Sequence, residues 1–253
     1  MLKTRIIPCI LLKNSMVVKS KAFSEWRNIG NCINIARVYN AREVDELVIL
    51  DITATNEKRP FLTSLVRDVA DECFIPLTIG GGVRSVEDIR KMLQVGADKV
   101  AINTEAIRRP KFISEGAKIF GNQCMVVSID AKRNSKGGHS VYSNSGTVEH
   151  AELTPVDWAQ KAEDLGAGEI LLNSIDRDGM MNGFDLELVA EVSDAVNIPV
   201  IACGGAGKPQ DFVDVVKQGH ASAASGASIF LYTQYTPNEV KRQMSKSGID
   251  VRL

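Results

Sequence analysis

Three aspartates in this chain stand where a carboxylate could do acid/base chemistry. Asp51 follows Val48-Ile49-Leu50, Asp130 follows Val127-Ser128-Ile129, and Asp178 lies in the turn Asp176-Arg177-Asp178-Gly179. A carboxylate that ends an apolar strand loses much of its hydration, and its proton affinity can then be set for proton transfer. On an open loop the same group is merely solvated, and Asp130 is the strongest of the three. A second kind of chemistry is suggested by two glycine turns. Gly80-Gly81-Gly82 follows Ile75 to Ile79 and leads to Ser85, while Gly204-Gly205-Ala206-Gly207 follows Pro199 to Ala202. Glycine there reaches positive φ and lets an anion approach backbone N–H groups, to which a helix N-terminus adds about half a positive charge. Either turn alone could be an ordinary strand-to-helix connection. Both Gly81/Gly204 and Gly82/Gly205 are 123 residues apart, however, and this symmetry points to a substrate with phosphates, or groups like them, at two ends. Asn103, Thr104 and Ser228 would complete the two cradles with amide and hydroxyl donors, with helix capping as their plainer use. Asp178 and Gly179 are counted with the same phosphate-binding set.

These residues need a scaffold that brings distant turns to one rim. Short Ile- and Val-rich runs near 5–10, 46–51, 75–79, 98–102, 124–129, 169–173, 199–202 and 222–226 alternate with amphipathic stretches, the pattern of repeated βαβ units around a parallel sheet. Eight units in 253 residues predict an α/β fold, a single (β/α)₈ TIM barrel spanning 1–253, whose strand C-termini form the working face. Helix starts are marked at Ser85 and at Thr154-Pro155. Glu46-Leu47-Val48-Ile49 reappears as Glu169-Ile170-Leu171-Leu172, so the barrel is expected to repeat internally by halves. At a nearby offset of 119, Arg5 to Lys13 overlays Cys124 to Lys132 and sets Leu11 opposite Asp130. The stretches 13–30 and 131–152 read as long functional loops, the second mobile because it is rich in Gly, Ser and Asn.

Bulk composition narrows the partners. Lys plus Arg (30) nearly balances Asp plus Glu (31), a net charge of −1, which gives no electrostatic reason to expect nucleic acid or an acidic membrane. The five cysteines show no CxxC pair and no metal-ligand spacing, and read as reduced cytoplasmic thiols. The apolar run Ile6 to Leu12 is too short for a membrane span or signal segment.

Several strings are more specific than this pattern: Arg5-Ile6-Ile7-Pro8-Cys9, Val17-Val18-Lys19, Asp45-Glu46-Leu47 through Leu50-Asp51-Ile52-Thr53-Ala54, Gly80 to Ser85, Gly96-Ala97-Asp98-Lys99-Val100, Ser128-Ile129-Asp130-Ala131-Lys132 and Asp176-Arg177-Asp178-Gly179. Together they resemble the HisF family, the synthase subunits of imidazole glycerol phosphate synthase, from about residue 1 to residue 253. The resemblance implies a barrel that pairs as a heterodimer with a HisH-like glutaminase and takes ammonia from it. That ammonia cleaves and cyclises a bisphosphorylated ribulosyl-formimino-aminoimidazole carboxamide ribonucleotide, with no metal or organic cofactor. It also implies that Arg5, Glu46, Lys99 and Glu169 form a charged ammonia gate at the barrel floor. Lys19 matches a lysine on a flexible loop over the site, and Asp130 matches one of two acid/base aspartates.

The other aspartate is missing. The family string Pro-Cys-Leu-Asp is Pro8-Cys9-Ile10-Leu11 here, and leucine transfers no proton; a step that relied on the lost group would slow by about 10²–10⁴. Asn173 replaces a usual Thr, Leu231 a common His, and there is an extra residue near Gly219-His220. A HisF-like group with leucine in this strand is linked to acetamidino modification of surface-polysaccharide sugars. The expectation is therefore a diverged HisF-like synthase subunit acting on a bisphosphorylated or nucleotide-type small molecule. Two alternatives stand beside it: a working histidine-pathway cyclase in which Asp51 or Asp178 covers for Leu11, and a non-catalytic partner that only channels ammonia.

Overall fold

The structure, a computed structural model, describes residues 3–253; Met1 and Leu2 of the expected domain lie outside the described residues. Twelve strands follow one another: β1 (Arg5–Lys13), β2 (Met16–Lys21), β3 (Ser24–Asn31), β4 (Leu47–Asp51), β5 (Leu77–Gly80), β6 (Lys99–Ile102), β7 (Met125–Arg133), β8 (His139–Ser143), β9 (Val148–His150), β10 (Glu169–Ser174), β11 (Val200–Cys203) and β12 (Ala223–Gly226). Eight of them, β1, β4, β5, β6, β7, β10, β11 and β12, pair in parallel; β7 meets β10 and β12 meets β1, so the ring closes. With helices between its strands, this is a single (β/α)₈ barrel. Its strands read as near-continuous apolar runs because both faces are covered. Outward side chains such as Ile6, Leu47, Ile79 and Ile129 pack beneath the helices. Inward ones, Ile7, Cys9, Val48, Ala101, Val126, Leu171, Ile201 and Ala223, fill the lumen as a second cluster.

The marked helix starts behave as their chemistry requires. Ser85 and Asp88 form a reciprocal capping box at the helix Val86–Gln94, and the Thr154 side chain accepts from the Asp157 N–H ahead of Pro155, each satisfying donors that a helix end leaves orphaned.

Two segments differ from expectation. The stretches read as loops, 13–30 and 131–152, are largely antiparallel hairpins: β1 runs on into β2 and β3, and β7 into β8 and β9. Val17-Val18 and Val141-Tyr142 are good strand residues, but the turns joining the first hairpin are Asn14-Ser15 and Ala22-Phe23, all at positive φ, without the glycine that would have announced a two-residue turn. The second segment is not a free loop either. Its tip is tied across the rim, with Ser145 Oγ donating to the Ile52 carbonyl at 2.6 Å and the Asn144 N–H to Thr104 Oγ1 at 3.0 Å.

The half-barrel repeat is visible in the architecture. Each half opens with a strand that extends into a hairpin and places a five-residue helix directly after its fourth barrel strand, Thr104–Arg108 in one and Ser228–Tyr232 in the other. Strand register gives the correspondence directly: Leu11 pairs with Leu50 and Asp130 with Asn173.

Candidate active site

The strand C-termini open into a cavity of about 430 Å³ whose lining includes Leu11, Lys19, Gly81, Gly82, Asn103, Thr104, Asp130, Asn173, Asp178, Gly179, Gly204, Gly205 and Ser228. Asp130 is its centre of proton chemistry. The carboxylate is 8% exposed, and Asn103 Nδ2 donates to its Oδ2 at 2.9 Å. Burial pushes the Asp130 carboxyl up to about 7, against the lowering effect of hydrogen bonds from Asn173 and Asn103 and with a further push from the Asp178 charge. A group that titrates near neutrality can give or take a proton at ordinary pH with little penalty.

Across the mouth the repeat-related positions carry none of this. Asp130, Asn173 and Asn103 correspond to Leu11, Leu50 and Ala227, and all three of the latter pack against the apolar lumen cluster. The amide-held carboxyl thus has no counterpart at the repeat-related positions, and the buried side-chain oxygens of Asn103 and Asn173 have no protein partner. Unpaired buried acceptors of this kind are rare in a finished core and are expected where a ligand supplies the donor.

Both glycine turns line the cavity, with φ of +110° and +69° at Gly81 and Gly82 and of +89° and +113° at Gly204 and Gly205. A Cβ on Gly81 would strike the Asp51 carbonyl, and one on Gly205 the Gly183 carbonyl. Close packing of the preceding loop therefore demands glycine whatever the turn binds. The stronger sign of a ligand is Ser228, 5% exposed, whose Oγ has no protein partner and which lines the mouth beside Gly204-Gly205. Thr104, its counterpart, already accepts from the hairpin tip at Asn144.

Four expected site residues hold the frame. Asp51 accepts from the N–H groups of Thr53 and Ala54, the Thr53 hydroxyl and both terminal nitrogens of Arg59, the shortest at 2.7 Å. A carboxylate so engaged fixes its loop. Asp178 accepts from Ser20 Oγ at 2.6 Å, lies 3.9 Å from Lys19 Nζ, and its carbonyl accepts from the Ala22 N–H. These contacts lock the β2–β3 hairpin onto the turn. Lys19 is accordingly not on a flexible loop; it is 3% exposed on β2. Gly179, at φ +71°, is required because a Cβ would collide with the Ser20 carbonyl. Gly179→Ala should cost roughly 1–3 kcal/mol in urea unfolding through this clash and the strained φ; unchanged stability would refute the docking.

At the opposite end of the barrel, Arg5, Glu46, Lys99 and Glu169 close a ring. Arg5 bridges Glu46 and Glu169 at 2.8 Å each, and Lys99 bridges the same pair at 2.9 Å each. Thr78 Oγ1 also donates to Glu46 at 2.6 Å.

Sequence reasoning missed Arg59, the partner of Asp51, and the cavity-lining Trp26, Lys58, Arg84 and Arg108. They lie on loops, on a hairpin strand or at a helix end, and only the closed ring shows that they face one space. Among the described residues, no three His, Cys, Asp or Glu side chains cluster so as to hold a metal ion, and no helix is long and apolar enough to cross a membrane.

A closed (β/α)₈ ring with a buried, near-neutral carboxyl at its C-terminal mouth defines a barrel enzyme. Residues 5–236 match the family described as histidine biosynthesis protein. The chain belongs to that family, whose members are barrel enzymes of the HisF and HisA type.

Proposed function

We propose that this chain is a HisF-like synthase subunit that works with a HisH-like glutaminase. In this reading ammonia passes the floor ring of Arg5, Glu46, Lys99 and Glu169, crosses the lumen, and reacts at the mouth with a substrate phosphorylated or charged at both ends. The chemistry has diverged from imidazole glycerol phosphate formation toward amidino-group formation in sugar modification. The single observation that carries the divergence is the one-sided mouth: Asp130, held by Asn103, faces Leu11 and Leu50, which pack on the lumen cluster. A cyclisation that needs a separate acid and base finds only Asp130 without a charged or hydroxyl partner there, since Asp51 is engaged by Arg59 and Asp178 by Ser20. Attack of ammonia on an imidate-type carbon, with its oxygen substituent leaving as the alcohol or phosphate, asks less of the walls, because the proton that ammonia gives up can pass to the departing oxygen.

The second reading, a cyclase of histidine biosynthesis, is favoured by one fact: a carboxyl near pH 7 can alternate between acid and base by itself. Purified protein given the bisphosphorylated ribonucleotide and excess ammonium salt at alkaline pH separates the two. The divergent reading expects turnover at least about 10²-fold below that of a HisF enzyme with both aspartates. Turnover within tenfold would establish the cyclase instead. Leu11→Asp should raise the rate only if the absent carboxyl is the sole deficiency.

A further inference from the structure

The half-barrel repeat allows one rim of the mouth to be compared with the other position by position. Lys58 and Met181 occupy equivalent places, 123 residues apart, and share an unusual positive φ of +53° and +56°. Arg84, two residues after Gly82, corresponds to Gly207, two residues after Gly205. Arg108 and Tyr232 each end the five-residue helix that follows a half's fourth barrel strand. The first half thus places three cations, Lys58, Arg84 and Arg108, around the mouth, where the second half has a thioether, a glycine and a phenol. The fourth cation of the described lining, Lys19, is paired with Asp178 at 3.9 Å, and none of the four comes from the second half of the chain. Lys58 and Arg84 form no ion pair among the described residues. The one carboxylate near Arg108, Glu105, is closer to Arg109 (3.3 Å) than to Arg108 (3.9 Å). Asp51, the other acid on this side, is neutralised by Arg59 at 2.7 Å.

A phosphomonoester carries about −1.5 to −2 charge near pH 7, and the second rim offers such a group backbone N–H donors and the unpartnered Ser228 hydroxyl. Two unpaired cations, Lys58 and Arg84, with Arg108 held only by the 3.9 Å contact to Glu105, are more than that group requires. We propose that the two ends of the substrate differ in charge, and that the end bound at Gly81-Gly82 is a diphosphate. The substrate class is then a diphosphate-linked small molecule, with the reacting carbon held over Asp130 and the less charged end at Gly204-Gly205. This rests on the two-ended reading of the mouth given above. It also fixes the orientation in which the substrate enters.

The test is calorimetric titration of the full chain with inorganic pyrophosphate and with inorganic phosphate at moderate salt. Wild-type protein should bind pyrophosphate about tenfold or more tighter than phosphate, as expected for extra charge-assisted contacts. The double variant Lys58→Met/Arg84→Gly installs residues that the other half already accommodates on the same backbone. It should keep its thermal midpoint and lose the preference. Phosphate binding at two sites with no preference for pyrophosphate, or a preference that survives in the double variant, overturns the diphosphate assignment and leaves the two-ended mouth standing. Failure of phosphate to bind at either rim overturns both.

Discussion

Asp130→Asn is expected to lower turnover by about 10²–10⁴ and, in the same protein, to raise stability above neutral pH. The two effects share a cause. The carboxyl is held at about 7 because burial disfavours its charge more than the Asn173 and Asn103 amides stabilise it. In the unfolded chain it releases its proton near the ordinary value of 3.8. Between those limits the folded state binds more protons than the unfolded one, so stability falls as pH rises from about 4 to about 7 and is level above. A shift of this size corresponds to at most a few kcal/mol. Asparagine removes the penalty while keeping a carbonyl to accept from Asn103. Thermal midpoints of the two proteins should therefore converge near pH 4 and separate by pH 8, the variant being the more stable. Parallel midpoints across that range would show that Asp130 is not held protonated by its site. Unchanged turnover or pathway output would favour the third reading, a barrel that channels ammonia without reacting it.

The barrel itself was legible because parallel strands covered on both faces must be apolar, and the runs at Val48-Ile49 and Ile170-Leu171 say so without any tertiary information. The glycine turns and Asp130 were legible for a related reason: each directly follows a strand, so its place on the rim follows from topology. What the chain did not disclose was the use of side chains that reach across the ring. Asp51 and Asp130 look alike in sequence, each ending an apolar strand. One meets Arg59, eight residues on, at 2.7 Å, while the other meets only amides. The family resemblance puts Lys19 on a flexible loop, yet the β2–β3 hairpin buries it against Asp178, 159 positions away. The hairpins were hidden because Ala22-Phe23 adopts positive φ with residues that rarely do so; the docking of Ser20 and Ala22 on Asp178 holds what the local sequence alone would not.

Glu46→Ala should be among the most destabilising single changes in the molecule, about 3–5 kcal/mol by urea unfolding. Glu46 is 1% exposed and accepts from Arg5 at 2.8 Å, Lys99 at 2.9 Å and Thr78 at 2.6 Å. Its removal leaves two cations sharing Glu169 and strands the Thr78 hydroxyl. Such a cost reports an uncompensated charge, not the worth of the ring, since a buried ion network replaced whole by apolar side chains is often no less stable. The contrast decides why four charges close the barrel floor. If they serve only the fold, the quadruple variant Arg5→Met/Glu46→Leu/Lys99→Met/Glu169→Leu should fold and behave normally in every assay. If they pass ammonia, it should fold and react ammonium salt supplied at the mouth, yet lose turnover driven by glutamine through the partner glutaminase. Equal loss with both nitrogen sources would mean that the floor shapes the active site itself, and the gate reading would have to be given up.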